Sequence, residues 1–250
     1  MNATRRTSVT TGVLLIAATA AALAAAALVD PVLTSGDYLA DLATHHHQVA
    51  GGALLYLIAA AASVSIAISL YPVLKTNSRA LTVGSVVFRA IEAGLYVAAV
   101  VSLLSVLTLS EQVRTGDSAD RAPIQALGDA LLSIREHATL AAVFAFTLGA
   151  ATYYIVFYRS RLVPRWLSGW GIAATILMVT ACLLALFSDN PITGYTLLIL
   201  PIAVQEIVLA VWLLGKGFSP VSPILRPKTA CSSQEAGVVP DTWERHDRSP

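Results

Sequence analysis

The stretch LTVGSVVFRAIEAGLYVAAVVSLLSVLTL, residues 81–109, is longer than a bilayer crossing and carries only two charged side chains, Arg89 and Glu92. A membrane helix needs about 20 largely apolar residues to cross a hydrocarbon core of about 30 Å. Within the stretch, Ser85, Arg89, Glu92 and Tyr96 recur at i, i+4, i+7 and i+11. That spacing sets all four on one helical face.

Five further stretches fit the same ruler, at about residues 8–28, 49–74, 139–158, 167–187 and 195–215. The expected fold is therefore all-α: a polytopic transmembrane helical bundle of six spans occupying residues 1–218. The remainder, 219–250, is polar and rich in proline and serine, and reads as a disordered cytoplasmic tail. Composition agrees. The chain has 250 residues, 56% of them hydrophobic and 12% charged, with a mean hydropathy of +0.70. A soluble domain carries about 25% charged residues, so a soluble enzyme is excluded.

Arg5 and Arg6 precede the first apolar run, and small residues follow it, as in a cleavable signal peptide. The run exceeds the 7–15 residues of a typical signal core and is read as a retained first helix. Lys75 and Arg79 separate spans two and three, Arg159, Arg161 and Arg165 separate spans four and five, and Lys216 closes span six. The opposite loops are acidic. Residues 30–48 contain Asp30, Asp37 and Asp41 and no Lys or Arg, and Ser188–Gly194 contains only Asp189. Because short basic loops stay in the cytoplasm, both ends of the bundle are expected inside. Tyr158, Trp166 and Trp170 flank that face as an interfacial aromatic belt would.

Net charge is +1 and no basic block is long, so nucleic acid is not an expected partner. Cys182 and Cys231 suggest no disulfide framework. Residues 122–137, with Ile124, Leu127, Leu131 and Ile134 at helical spacing, read as an interfacial or membrane-continuing helix. Gly51 and Gly52 suggest close helix packing.

Few polar residues lie inside the spans, so those that do stand out. In span six, Gln205 and Glu206 interrupt an apolar helix just after Pro201. Glu92 lies about 11 residues in from Leu81 and Glu206 about 11 residues from the opposite end of its span, both about 16 Å deep and close to the midplane. Arg89 is one turn away from Glu92. These charges can converge only if spans three and six are neighbours. A charge at the bilayer centre costs about 2.5–3.5 kcal/mol on insertion scales, so Arg89, Glu92 and Glu206 should face the interior. One arginine against two carboxylates leaves an excess negative charge, which calls for a protonated acid or a further partner. The cluster reads either as a structural ion pair or as a site for a proton, ion or small ligand.

A histidine triplet, His45–His47, follows Asp37 and Asp41 at a spacing that would suit a divalent metal on a helix. The loop lacks a strong helical pattern and adjacent histidines diverge, so it reads as a polar loop. No metal site, cofactor or catalytic nucleophile is expected.

Four ordered motifs resemble a known bacterial family. They are residues 70–75 (LYPVLK); Gly84 with residues 88–92 (FRAIE); residues 158–167 (YRSRLVPRWL) with Trp170 and Gly171; and residues 201–206 (PIAVQE) running on to Trp212 and residues 216–218 (KGF). The resemblance is to domain of unknown function 4386, and implies a six-span protein of the bacterial cytoplasmic membrane whose partner is the lipid bilayer. It implies no activity, but its motifs include Arg89, Glu92 and Glu206. The expected function is a non-enzymatic membrane protein, a sensor, scaffold or accessory subunit. The alternative is a small transporter or proton-coupled carrier centred on Arg89, Glu92, Gln205 and Glu206.

Overall fold

Hydrocarbon offers the backbone no hydrogen-bond partner, so apolar runs satisfy their N–H and C=O groups internally as helices. The computed structural model describes residues 3–115, 121–188 and 190–219, all within one compact unit, Met1–Pro220. Residues 220–250, most of the segment read above as a tail, lie outside the described residues, as does Asp189. The described helices are α1 (Ala3–Leu33), α2 (Tyr38–Thr44), α3 (His46–Leu74), α4 (Arg79–Thr115), α5 (Arg121–Ser160), α6 (Arg165–Leu186) and α7 (Thr196–Gly215). A short 3-10 turn, Ile192–Tyr195, precedes α7. All but α2 are long and apolar enough to cross a membrane. The chain is thus an all-α, six-span, multi-pass membrane protein.

The six long helices pack as a closed ring in the order α1, α3, α4, α5, α6, α7 and back to α1. In that ring α4 and α7 stand on opposite walls and are not among the packed pairs. The expectation that spans three and six are neighbours is therefore overturned. Their side chains meet across the middle instead.

Helices α4 and α5, with 37 and 40 residues, reach about 55–60 Å, roughly twice the hydrocarbon thickness. Their excess lies at the acidic-loop end, where residues 122–137 are the first turns of α5. The apolar stripe there splits. Ile124 and Leu131 pack into the core, while Leu127 and Ile134 are exposed. The short α2 sits beside them, held by buried Tyr38, Leu39 and Leu42 and capped by the Asp37 carboxylate, which accepts from the Ala40 N–H. Its Tyr38 hydroxyl donates to Asp129 of α5 at 2.6 Å. The first outer loop reads from sequence as lacking helical pattern; burial against α4 and α5 makes it helical all the same.

The opposite, basic-loop end is closed tightly. Arg5 donates to the Leu213 and Leu214 carbonyls at 3.2 and 2.6 Å, and Ser8 donates to Leu213 O at 2.6 Å. These are α7 C-terminal carbonyls without helical partners, and a guanidinium there also meets the negative end of the helix dipole. Gly217, at φ +76°, then turns the chain back so that Ser219 N–H reaches Leu162 O at 2.9 Å. Above this latch Tyr153, Tyr154 and Phe157 of α5 are buried among Leu15, Leu70, Leu74, Leu209 and Leu213.

Small residues permit the ring's close approaches. A Cβ on Gly52 would run into Val29 of α1, and one on Gly171 would lie 2.5 Å from the Tyr154 ring. Gly51, in contrast, faces open space. Replacing Gly171 by Ala is expected to destabilise the bundle by about 1–3 kcal/mol, as overpacking a filled core does. Gly51→Ala should leave stability unchanged or slightly raised. Thermal unfolding of the two variants in detergent checks this, and equal losses would contradict the packing described.

Candidate functional site

At the centre of the ring a single guanidinium forks toward two carboxylates. Arg89 comes from α4 and its residue is 2% exposed. Nη1 donates to Ser63 Oγ of α3 at 2.8 Å and lies 3.3 Å from Glu92 Oε2, one turn on along α4. Ser63 Oγ in turn donates to the same Glu92 oxygen at 2.7 Å. The other arm, Nη2, donates to the Tyr153 hydroxyl of α5 at 3.1 Å and lies 3.6 Å from Glu206 Oε1 of α7. The Tyr153 hydroxyl donates onward to that oxygen at 3.5 Å. Each carboxylate is thus approached twice, directly and through a hydroxyl.

The two arms are unequal. On the Glu92 side the hydroxyl relay is short at both steps. On the Glu206 side the direct contact is beyond hydrogen-bond range and the relay is stretched. Glu206 takes its remaining contact from α1, where Thr19 Oγ1 donates to Oε2 at 3.2 Å. Five helices therefore meet at the centre, and Glu206 is its most loosely held member. The guanidinium also lies 4.4 Å from the centroid of Phe146 and 5.6 Å from that of Tyr153, within range of cation–π attraction. Among the described residues neither its Nε nor Ser85 Oγ, one turn back along α4, has a hydrogen-bond partner.

A cavity of about 150 Å³ lies directly against this centre. Arg89, Glu92, Glu206, Thr19 and Ser63 line its floor, and Tyr56, Tyr96, Phe146 and Met178 its walls. These four wall residues lie on the acidic-loop side of the charges, while Ala18 and Ile66, also in the lining, lie just to the other side of Thr19 and Ser63. The basic-loop side is occupied by the Tyr153–Tyr154–Phe157 core. Among the described residues the cavity thus lies mostly on one side of the centre and the packed core on the other.

Of the residues singled out in the sequence, Arg89, Glu92 and Glu206 converge. Gln205 does not join them. Its side-chain oxygen accepts from the Tyr154 hydroxyl and its Nε2 donates to Leu167 O at 3.3 Å, tying α7 to α5 and α6. Tyr96 lines the cavity, stacked on Tyr56 at 6.4 Å. Near the acidic-loop end, Asp37 pairs with Arg121 at 3.0 Å and His45 Nδ1 lies 3.0 Å from the Asp41 main-chain carbonyl. Thr19, Ser63, Tyr153 and Phe146 belong to the centre but were not singled out in the sequence. An isolated hydroxyl in an Ala-rich helix gives little signal, though a Tyr-Tyr pair deep within a span could have been noticed.

Removing one partner of a buried ion pair leaves an uncompensated charge. Arg89→Ala is accordingly expected to cost about 3–5 kcal/mol of bundle stability. Combining it with Glu92→Gln and Glu206→Gln should recover part of that loss, because no carboxylate is then left unpaired. Ser63→Ala should cost more than Tyr153→Phe at the hydroxyl relay, in proportion to the shorter bonds. Thermal stability of the purified variants checks both orderings.

Comparison with known proteins adds lineage and not activity. No curated protein and no solved structure matches the chain. A family model does match, over residues 10–217, which takes in α1 from residue 10 onward, the other five long helices whole and every residue of the buried centre. The chain belongs to the family described as domain of unknown function DUF4386.

Proposed function

We propose that this protein is a small carrier of the bacterial cytoplasmic membrane, coupled to a proton or another cation, with both ends of the bundle and the segment after residue 218 in the cytoplasm. The observation that carries the reading is the cavity that reaches Arg89, Glu92 and Glu206 from the acidic-loop side while a packed aromatic core closes the other. A purely structural ion pair has no need of a solvent-sized space beside it. Ionisable groups inside a membrane that line such a space mark substrate or ion pathways. Orientation follows from the loops, since Arg5, Lys75, Arg79, Arg159 and Lys216 all fall at the closed end.

Within this reading Arg89 and Glu92, bridged by Ser63, form the fixed pair. Glu206 is the exchangeable group, because its contacts to Arg89 and Tyr153 are the longest in the centre. One guanidinium against two carboxylates leaves one negative charge over. A cation taken up at Glu206 cancels it, and a neutral centre is cheaper to expose to a new environment within the bilayer than a charged one. Loading then favours the state in which the cavity closes and the basic-loop end opens. Opening there requires Arg5 and Ser8 to release the α7 carbonyls. A sensor or scaffold is the less supported reading, since neither role uses a one-sided cavity at a charged centre.

The reading is tested with the full chain in proteoliposomes carrying a pH-sensitive dye. A cation or proton gradient should drive flux, and Glu206→Gln should reduce it at least about tenfold, the loss of one essential proton carrier. Its melting temperature should stay near that of the wild type. Flux at the wild-type rate in that variant would rule out the role given to Glu206. For orientation, a membrane-impermeant maleimide applied to intact cells should label Asp41→Cys and spare Thr76→Cys; the reverse pattern would invert the topology.

A further inference from the structure

The ring is not closed along its whole height. Helices α1 and α7 are joined from the basic-loop end up to the midplane: Arg5 and Ser8 hold Leu213 and Leu214, Gly12 lies against Ala210 and Leu214, and Thr19 reaches Glu206. Among the described residues, every hydrogen bond between these two helices falls below that point. Beyond it they part. The next turns of α1 lean onto α3, where Gly52 meets Ala25, Leu28 and Val29, while α7 leans onto α6 through Ile202. Between them Ala22 and Leu23 of α1 and Ala203 of α7 line the cavity without belonging to any packed cluster, while Ile199, also in the lining, packs against the α6–α7 cluster. Leu23 is 57% exposed.

Along the axis the way is narrower. The stacked Tyr56 and Tyr96 separate the cavity from a pocket of only about 10 Å³, lined in turn by Arg135, which pairs with Asp30 at 3.5 Å. Between α1 and α7 the lining runs on to residues exposed on the outside of the bundle, such as Leu23, where the helices face the hydrocarbon.

We propose that this gap is a lateral portal through which a small lipophilic amine enters from the bilayer as the neutral base and is bound at Glu206 as its ammonium cation, the proton coming from the Glu206 carboxyl. The inference rests on the carrier reading and names its substrate class. The charge balance of the floor selects a cation, because an anion would add a third negative charge beside Glu92 and Glu206. Phe146, Tyr56 and Tyr96 give the walls π-faces, which attract ammonium groups and pack apolar ones. The space suits a single ring or a short chain: a cavity of about 150 Å³ with apolar walls holds one benzene. Substrates of this kind concentrate in the bilayer, where the portal opens.

The test uses purified full-length protein in lipid nanodiscs and three probes of one shape: benzylammonium, benzoate and toluene. Calorimetry should show benzylammonium binding at least about tenfold more tightly than either of the others, and Glu206→Gln should remove that preference. Equal or tighter binding of benzoate would overturn the assignment without recourse to any variant. Ala22→Trp, which fills the portal, should slow benzylammonium association in stopped-flow fluorescence, whereas Thr139→Trp, in the small axial pocket, should not. The opposite pattern would move the route to the axis and sink the portal. The two readings fail separately. Gradient-driven flux without selective benzylammonium binding overturns this inference alone, and selective binding without flux supports the site while removing the carrier.

Discussion

A guanidinium near the middle of a hydrocarbon slab is the constraint around which this bundle is arranged. It cannot lose its charge, and it cannot reach water through the packed end of the ring. Arg89 is therefore enclosed by partners drawn from every side. Glu92 comes from its own helix, Ser63 from α3, Tyr153 and Phe146 from α5, and Glu206 from the opposite wall on α7. Through Glu206 the network takes in Thr19 of α1 as well. Lipid gives helices little hydrophobic reason to associate, so interactions of this kind, with close packing at small residues, bear much of the task.

The same centre divides the molecule into unlike halves. Toward the basic loops the ring is sealed by tyrosine, phenylalanine and leucine, and the α1–α7 seam is locked by Arg5 on the last α7 carbonyls. Toward the acidic loops the apolar packing separates into two clusters, one around α1, α2, α3 and α4 and the other around α5, α6 and α7. The cavity lies where those clusters fail to meet. The asymmetry of the ion pairs follows the same division, since Glu206 stands on the wall where the seam ends.

Much of this was legible from residue types and spacing. Arg89, Glu92 and Glu206 stood out because charge is costly in an apolar run, and helical rise alone put them at matching depth. The error lay in adjacency. Depth is a one-dimensional property of each span, and it cannot say whether two spans touch or face each other across a ring. A long arginine side chain joins helices that do not pack. Gln205 shows the converse: one position from Glu206, it projects about 100° away around the helix and serves Tyr154 and Leu167 instead.

Length, hydropathy and charge determined on their own that the chain is a six-span helical membrane protein, because the bilayer imposes one ruler on every crossing segment and penalises each buried charge locally. Which hydroxyls complete the centre, why α2 is a helix, and where the cavity opens were decided only by tertiary structure. Those features depend on contacts between residues far apart in the chain, as between Thr19 and Glu206, and no local pattern records which helices will stand beside one another.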